Sequence, residues 1–139
     1  MKNNPKSILI IDDEPDIVRL LEKWLNVAGR KTTAAFGGED GIKRAREEAP
    51  DLILLDIMLP DIGGVDVARI LQNDPATASI PIVFMTACLG VEQDKGDETI
   101  DVDGKIYRAF AKPLHNPKLL SEIRKAINRQ ENQNPPLGK

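Results

Sequence analysis

Ser7-Ile-Leu-Ile-Ile-Asp-Asp13 decides the reading of this chain. Four branched apolar residues in a row, with no polar alternation, describe a strand covered on both faces. Such strands belong to parallel sheets that carry helices on either side. Two aspartates end the run at once, so the carboxyl end of this strand is charged. Asp51-Leu-Ile-Leu-Leu55 and Ile80-Pro-Ile-Val-Phe-Met85 are runs of the same kind. Lys31-Thr-Thr-Ala-Ala35 and Lys105-Ile-Tyr-Arg-Ala-Phe110 are weaker and read as edge strands.

Between the strands the apolar period is helical. Ile17, Leu20, Leu21, Trp24 and Ala28 form one stripe after Pro15, with Asp13 or Glu14 as cap and Gly29 as stop, and Trp24 is expected in the core. Further helices are expected over 39–49, ended by Pro50, and over 65–73, carrying Val67, Ala68, Ile70 and Leu71 before Pro75. A last helix follows Pro117 and carries Leu119, Leu120, Ile123, Ala126 and Ile127 on one side. This alternation predicts an α/β fold, a flavodoxin-like doubly wound sheet of five parallel strands in the order 2-1-3-4-5. Residues 90–104 are polar and interrupted by glycine where a fourth crossover helix belongs, and predict a short or irregular helix within a long loop. The tail, 131–139, with Pro135 and Pro136, is expected to be disordered.

A chain of 139 residues fits one domain, and 41% hydrophobic residues with 10 Gly exclude disorder over its whole length. Its 19 basic and 22 acidic residues leave a net charge of −3, with no basic footprint for direct contact with nucleic acid. The run Ile8–Ile11 is far too short for an export signal or a membrane span. Cys88, the single cysteine, has no partner for an internal disulfide. These features predict a cytoplasmic protein without membrane insertion.

In open α/β sheets, ligands bind beyond the carboxyl ends of the strands. Here those ends hold Asp12 and Asp13, Asp56, Thr86, and Lys112 before Pro113. Three carboxylates in one pocket repel by about 4 kcal/mol per pair at ~4 Å and an effective dielectric of ~20, so the site requires a cation. Oxygen ligands without nearby His or Cys favour Mg²⁺. With Lys112 as a second positive charge, the set suits a phosphoryl group. Singly, each residue has an ordinary explanation: a helix cap for Asp12 or Asp13, a turn for Asp56, a backbone hydrogen bond for Thr86, a solvated strand end for Lys112. Their joint occurrence at four strand ends argues for a site.

The motifs Ile10-Ile-Asp-Asp-Glu-Pro15, Leu54-Leu-Asp-Ile-Met-Leu-Pro60 with Gly63-Gly64, Met85-Thr-Ala87 and Ala111-Lys-Pro113 resemble those of response-regulator receiver domains of two-component signalling. The resemblance covers residues 6–130. It implies that Asp56 is the phosphoacceptor, served by a sensor histidine kinase or phosphotransfer protein. It implies that Asp12, Asp13, Asp56 and the Met58 carbonyl hold Mg²⁺, that Thr86 bonds the phosphoryl oxygens, and that Lys112 pairs with them or with Asp56. It also implies a cis peptide between Lys112 and Pro113. Ala109 stands where the family usually has an aromatic residue. Tyr107 shares its face and Phe110 points the other way, which predicts a relocated or weakened aromatic switch. The stretch from Thr86 to Lys112 is longer than is usual in the family.

The expected function is therefore a single-domain response regulator, not an enzyme in the ordinary sense, that promotes its own phosphorylation and dephosphorylation. With no output domain in view it acts through an unknown downstream protein, as a monomer or weak dimer. An aspartate-nucleophile phosphohydrolase would carry an acid two residues after the nucleophile; Met58 occupies that place. A pseudo-receiver would have lost a site residue, and none is missing. His115 reads as solvated, Cys88 as a small buried or half-buried residue, and Gly37-Gly38-Glu-Asp-Gly41 lacks the spacing of a dinucleotide fingerprint.

Overall fold

In the computed structural model, which describes residues 6–86, 99–112, 121 and 123–125, the opening apolar run forms β1 (Ser7–Ile11), with Ile8 to Ile11 wholly shielded from solvent. The chain continues through α1 (Pro15–Val27), β2 (Lys31–Ala35), α2 (Gly38–Glu48), β3 (Leu52–Asp56), α3 (Gly64–Gln72) and β4 (Ile82–Thr86). It then forms β5 (Thr99–Val102) and β6 (Lys105–Ala111). The strand order is β2-β1-β3-β4-β6-β5. The five expected strands are all present, parallel and in the expected order. The doubly wound α/β reading therefore holds.

The sheet nevertheless has six strands rather than five. Thr99–Val102 pairs antiparallel with β6 through a two-residue turn, with Val102 opposite Lys105. Asp103 and Gly104 both have positive φ, 52° and 93°. That is the type I′ geometry that an Asp-Gly pair accommodates and that matches the twist of a hairpin. Asp101 closes the turn by accepting the Gly104 N–H at 2.7 Å. The end of the 90–104 segment is thus strand and turn. Residues 90–98, where the short fourth helix was expected, lie outside the described residues, as do Cys88, the Lys112–Pro113 peptide, His115 and the tail.

Both sheet faces are covered. Leu9, Ile11, Ile53, Leu55, Phe84, Tyr107 and Ala109 pack with Ile42 and Ala45 of α2 and with Val67, Ala68 and Leu71 of α3. Ile8, Ile10, Leu52, Leu54, Val83, Met85 and Phe110 pack with Val18, Leu21 and Leu25 of α1 and with Ile123. Tyr107 and Ala109 thus share a face and Phe110 occupies the other, as strand parity requires. One helical stripe is corrected. In α1 the buried set is Val18, Leu21 and Leu25, while Ile17 and Trp24 lie only partly buried at its edge. In α3, Ile70 is turned outward. Wide apolar stripes contain more candidates than one sheet face can cover.

The hairpin is fastened to α3 by Gln72 and, at its turn, by Arg69, whose Nε donates to Asp103 Oδ2 at 2.8 Å. The Tyr107 hydroxyl donates to Gln72 Oε1 at 2.6 Å, and Gln72 Nε2 donates to the Val102 carbonyl at 3.1 Å. The Tyr107 ring meets Phe84 edge-on, with centroids 5.5 Å apart. Tyr107→Phe keeps the packing and removes the hydroxyl, so it is expected to cost about 1 kcal/mol, read as a lower urea midpoint at unchanged slope. An unchanged midpoint would show that water replaces the bond without loss.

Candidate functional site

The site lies at the carboxyl ends of β1, β3, β4 and β6. Asp12 follows β1 directly, and its N–H still bonds to the Ala35 carbonyl at 3.0 Å, so the sheet fixes its side chain. Its Oδ1 accepts the Glu14 N–H at 2.9 Å. Asp56 ends β3, fully paired against β4, and its Oδ1 accepts the Met58 N–H at 3.1 Å. Asp12 and Asp56 are buried, Asp13 is exposed, and one carboxylate oxygen from each of the three lies within 4.8 Å of the others. Thr86 is buried at the end of β4, and its carbonyl accepts the Lys112 N–H at 3.1 Å. Lys112 then turns its ammonium into the carboxylates, 3.0 Å from Asp12 Oδ2 and 3.1 Å from Asp56 Oδ2.

All six residues singled out from the sequence are therefore neighbours along these strand ends. Three others were not. Glu14 pairs with Lys112 across 98 positions of sequence. Asp61 caps α2 from a separate loop, accepting the N–H groups of Gly38 at 2.8 Å and Glu39 at 3.0 Å. Those bonds hold its carboxyl down at about 2. They also anchor the β3–α3 loop that carries Met58. Gly64 permits that loop to close: a Cβ there would stand 2.2 Å from the Asp56 carbonyl oxygen. Close approach to Gly64 is signalled only by the Gly63-Gly64 pair; Glu14 and Asp61 have no sequence signal, being common acids.

Electrostatically the pocket is under-neutralised. Burial pushes the Asp12 carboxyl up to about 6, against the Glu14 N–H and Lys112, which favour its charged form. Burial likewise raises Asp56 above the usual carboxylate range, although the Met58 N–H and Lys112 pull it down. Lys112 moves the other way. Burial alone would lower it, but pairing with Glu14, Asp12 and Asp56 outweighs burial and leaves it raised and charged. One ammonium thus faces several carboxylates. Asp12 Oδ2 is buried without an aligned hydrogen bond; its contact with Lys112 is an ion pair only. An all-oxygen donor set with such an atom fits a hard divalent cation.

The family model described as the response regulator receiver domain matches residues 8–124. The chain belongs to this family. Receiver domains are the phosphoacceptor signalling domains of two-component systems, and the family binds Mg²⁺ at an acidic pocket. It is similar to the protein PilH of Pseudomonas aeruginosa, 35% identical over 84% of this chain and 93% of that one. It is also similar to the polar-differentiation response regulator DivK of Brucella anthropi, 32% identical over 86% of this chain and 94% of that one. Among solved structures, a response regulator of Chloroflexus aurantiacus superposes with a TM-score of 0.75 at 25% identity, over 90% of this chain and 99% of that one. The chain spans about half the length of other curated relatives, a transcriptional regulatory protein and a DNA-binding response regulator. No described helix is long and apolar enough to cross a membrane.

Proposed function

We propose that this receiver works as a response regulator that takes a phosphoryl group onto Asp56 from a histidine kinase or phosphotransfer protein. The observation that carries this is the position of Lys112 Nζ, 3.1 Å from Asp56 Oδ2 and 3.0 Å from Asp12 Oδ2, in a pocket with three carboxylates. DivK and PilH, matched over 94% and 93% of their own lengths, support the response-regulator reading.

In this reading Asp12, Asp13, Asp56 and the Met58 carbonyl hold Mg²⁺, which when bound neutralises phosphoryl oxygens and aligns the attack. A carboxylate oxygen of Asp56 forms the new bond to phosphorus while the bond from phosphorus to the donor nitrogen breaks, and the imidazole leaves with that electron pair. Lys112 compensates charge on the transferred oxygens, and the Thr86 hydroxyl bonds to one of them. The aspartyl phosphate adds about −1.5 to −2 charges, and the pull on Thr86 biases the surface presented to a downstream protein. Ala109 cannot supply an aromatic swing. Tyr107, held by Gln72, offers the relocated or weakened version of it. Hydrolysis of the acyl phosphate within the same pocket resets the protein.

Acetyl phosphate with Mg²⁺ is expected to add one phosphoryl mass to the intact protein, and Asp56→Asn is expected to add none. Equal incorporation in the variant would place the acceptor elsewhere. Omitting Mg²⁺ or adding chelator is expected to abolish the incorporation as well.

A further inference from the structure

Glu14 has a property that capping does not explain. It occupies the N-cap of α1, where a carboxylate ordinarily accepts a helix N–H, yet its side chain makes no such bond. Its carboxylate goes instead to Lys112, while its backbone N–H holds Asp12 Oδ1 at 2.9 Å. An ammonium has three N–H bonds to give. Three carboxylates surround this one, those of Asp12, Asp56 and Glu14. Asp12 and Asp56 are buried, with side chains 0% and 3% exposed, whereas the Glu14 side chain is 56% exposed. The ammonium hydrogen-bonds to Asp56 and Glu14 and meets Asp12 Oδ2 as an ion pair, so an incoming phosphoryl oxygen competes with carboxylates on every side of it. Of the three partners, Glu14 is the one that water can receive at least cost.

We infer that Glu14 is a positioning residue, a latch that holds Lys112 in the unphosphorylated state and yields it to the arriving phosphoryl oxygen. The inference rests on the receiver reading above and assigns a role to a residue outside its acceptor and metal set. While latched, Glu14 keeps the ammonium fixed over the carboxylates. It also places a further negative charge on the solvent side of the pocket, against the anionic donor. Its release accompanies phosphoryl capture, so the latch sets how readily the site loads.

The test compares the full chain with Glu14→Gln, using acetyl phosphate and beryllofluoride as probes, each with Mg²⁺. Glu14→Gln is expected to load from acetyl phosphate about tenfold faster and to bind beryllofluoride about tenfold more tightly at low salt. The gain is expected to shrink at about 0.5 M salt, where the charge is screened. A purely structural role would instead change thermal stability and leave the ratio of variant to parent insensitive to salt. Unchanged or slower loading of Glu14→Gln, or a gain that salt does not diminish, overturns the latch. Failure of the parent itself to load overturns the receiver reading instead, so the two failures are distinguishable.

Discussion

Asp12→Asn is expected to stabilise the metal-free protein at neutral pH by about 3 kcal/mol while abolishing Mg²⁺ binding. The folded protein holds the Asp12 carboxyl at about 6 against an ordinary 3.8. The raised value means that between those limits the folded chain binds a proton that the unfolded chain has lost. Ionising Asp12 therefore costs nothing below pH ~4 and its full amount above pH ~6, about two pKa units at 1.36 kcal/mol each. The pull of Lys112 is already contained in that shift, and Asn stands in for the neutral carboxyl. Urea unfolding in chelator checks it. The parent should lose stability as pH rises from 4 to 6, and Asp12→Asn should lose much less. A parent that gains stability over that interval refutes the argument. Asp61 works in the opposite window: with its carboxyl lowered to about 2, its contribution is present above pH ~4 and disappears as the pH falls through 2. Together these two carboxyls favour mildly acid solution for the metal-free protein, and Mg²⁺ is expected to move that preference upward.

Gly64→Ala is expected to be the most damaging single methyl in the described structure. The added Cβ would lie 2.2 Å from the Asp56 carbonyl oxygen and 2.8 Å from the Ile57 Cα. Neither can retreat, because Asp56 belongs to a strand paired with β4 and Ile57 N–H bonds to the Met85 carbonyl at 3.0 Å. Overpacking against fixed backbone is expected to cost about 3 kcal/mol here, the upper end of the usual range, and to displace the Asp56 backbone that carries the carboxylate. Gly63→Ala is the control. Its nearest neighbour is 4.0 Å away and its φ is −60°, so a methyl is admitted without strain. Denaturation midpoints for the two variants should differ widely. Similar midpoints would mean that the β3–α3 loop is far more compliant than its hydrogen bonds indicate.

What the sequence disclosed follows from how local each signal is. Continuous apolar runs name β1, β3 and β4 because a strand buried on both faces tolerates nothing else, and the charged residues after them mark the site because topology brings strand ends together. Asp12, Asp13, Asp56, Thr86 and Lys112 were legible for that reason. The antiparallel β5 was masked by its polar neighbourhood, although Asp103-Gly104 between Val102 and Lys105 is a recognised hairpin signal. The stripe of α1 was misjudged at Trp24, because the choice among adjacent apolar residues is made by the opposing surface. The Glu14 pair and the Asp61 cap are long-range contacts of ordinary acids, and only the folded chain reveals them.

The added hairpin has a consequence for behaviour in concentrated solution. Sheets polymerise through long, flat, uncharged borders. Here the border beyond β6 is handed to a strand of four residues that bears an exposed aspartate, Asp101, and the opposite border begins with exposed Lys31. A sheet built this way carries its own safeguard against amyloid-like stacking, and it does so in its border strands, not in β1 and β3, which lead into the acidic pocket.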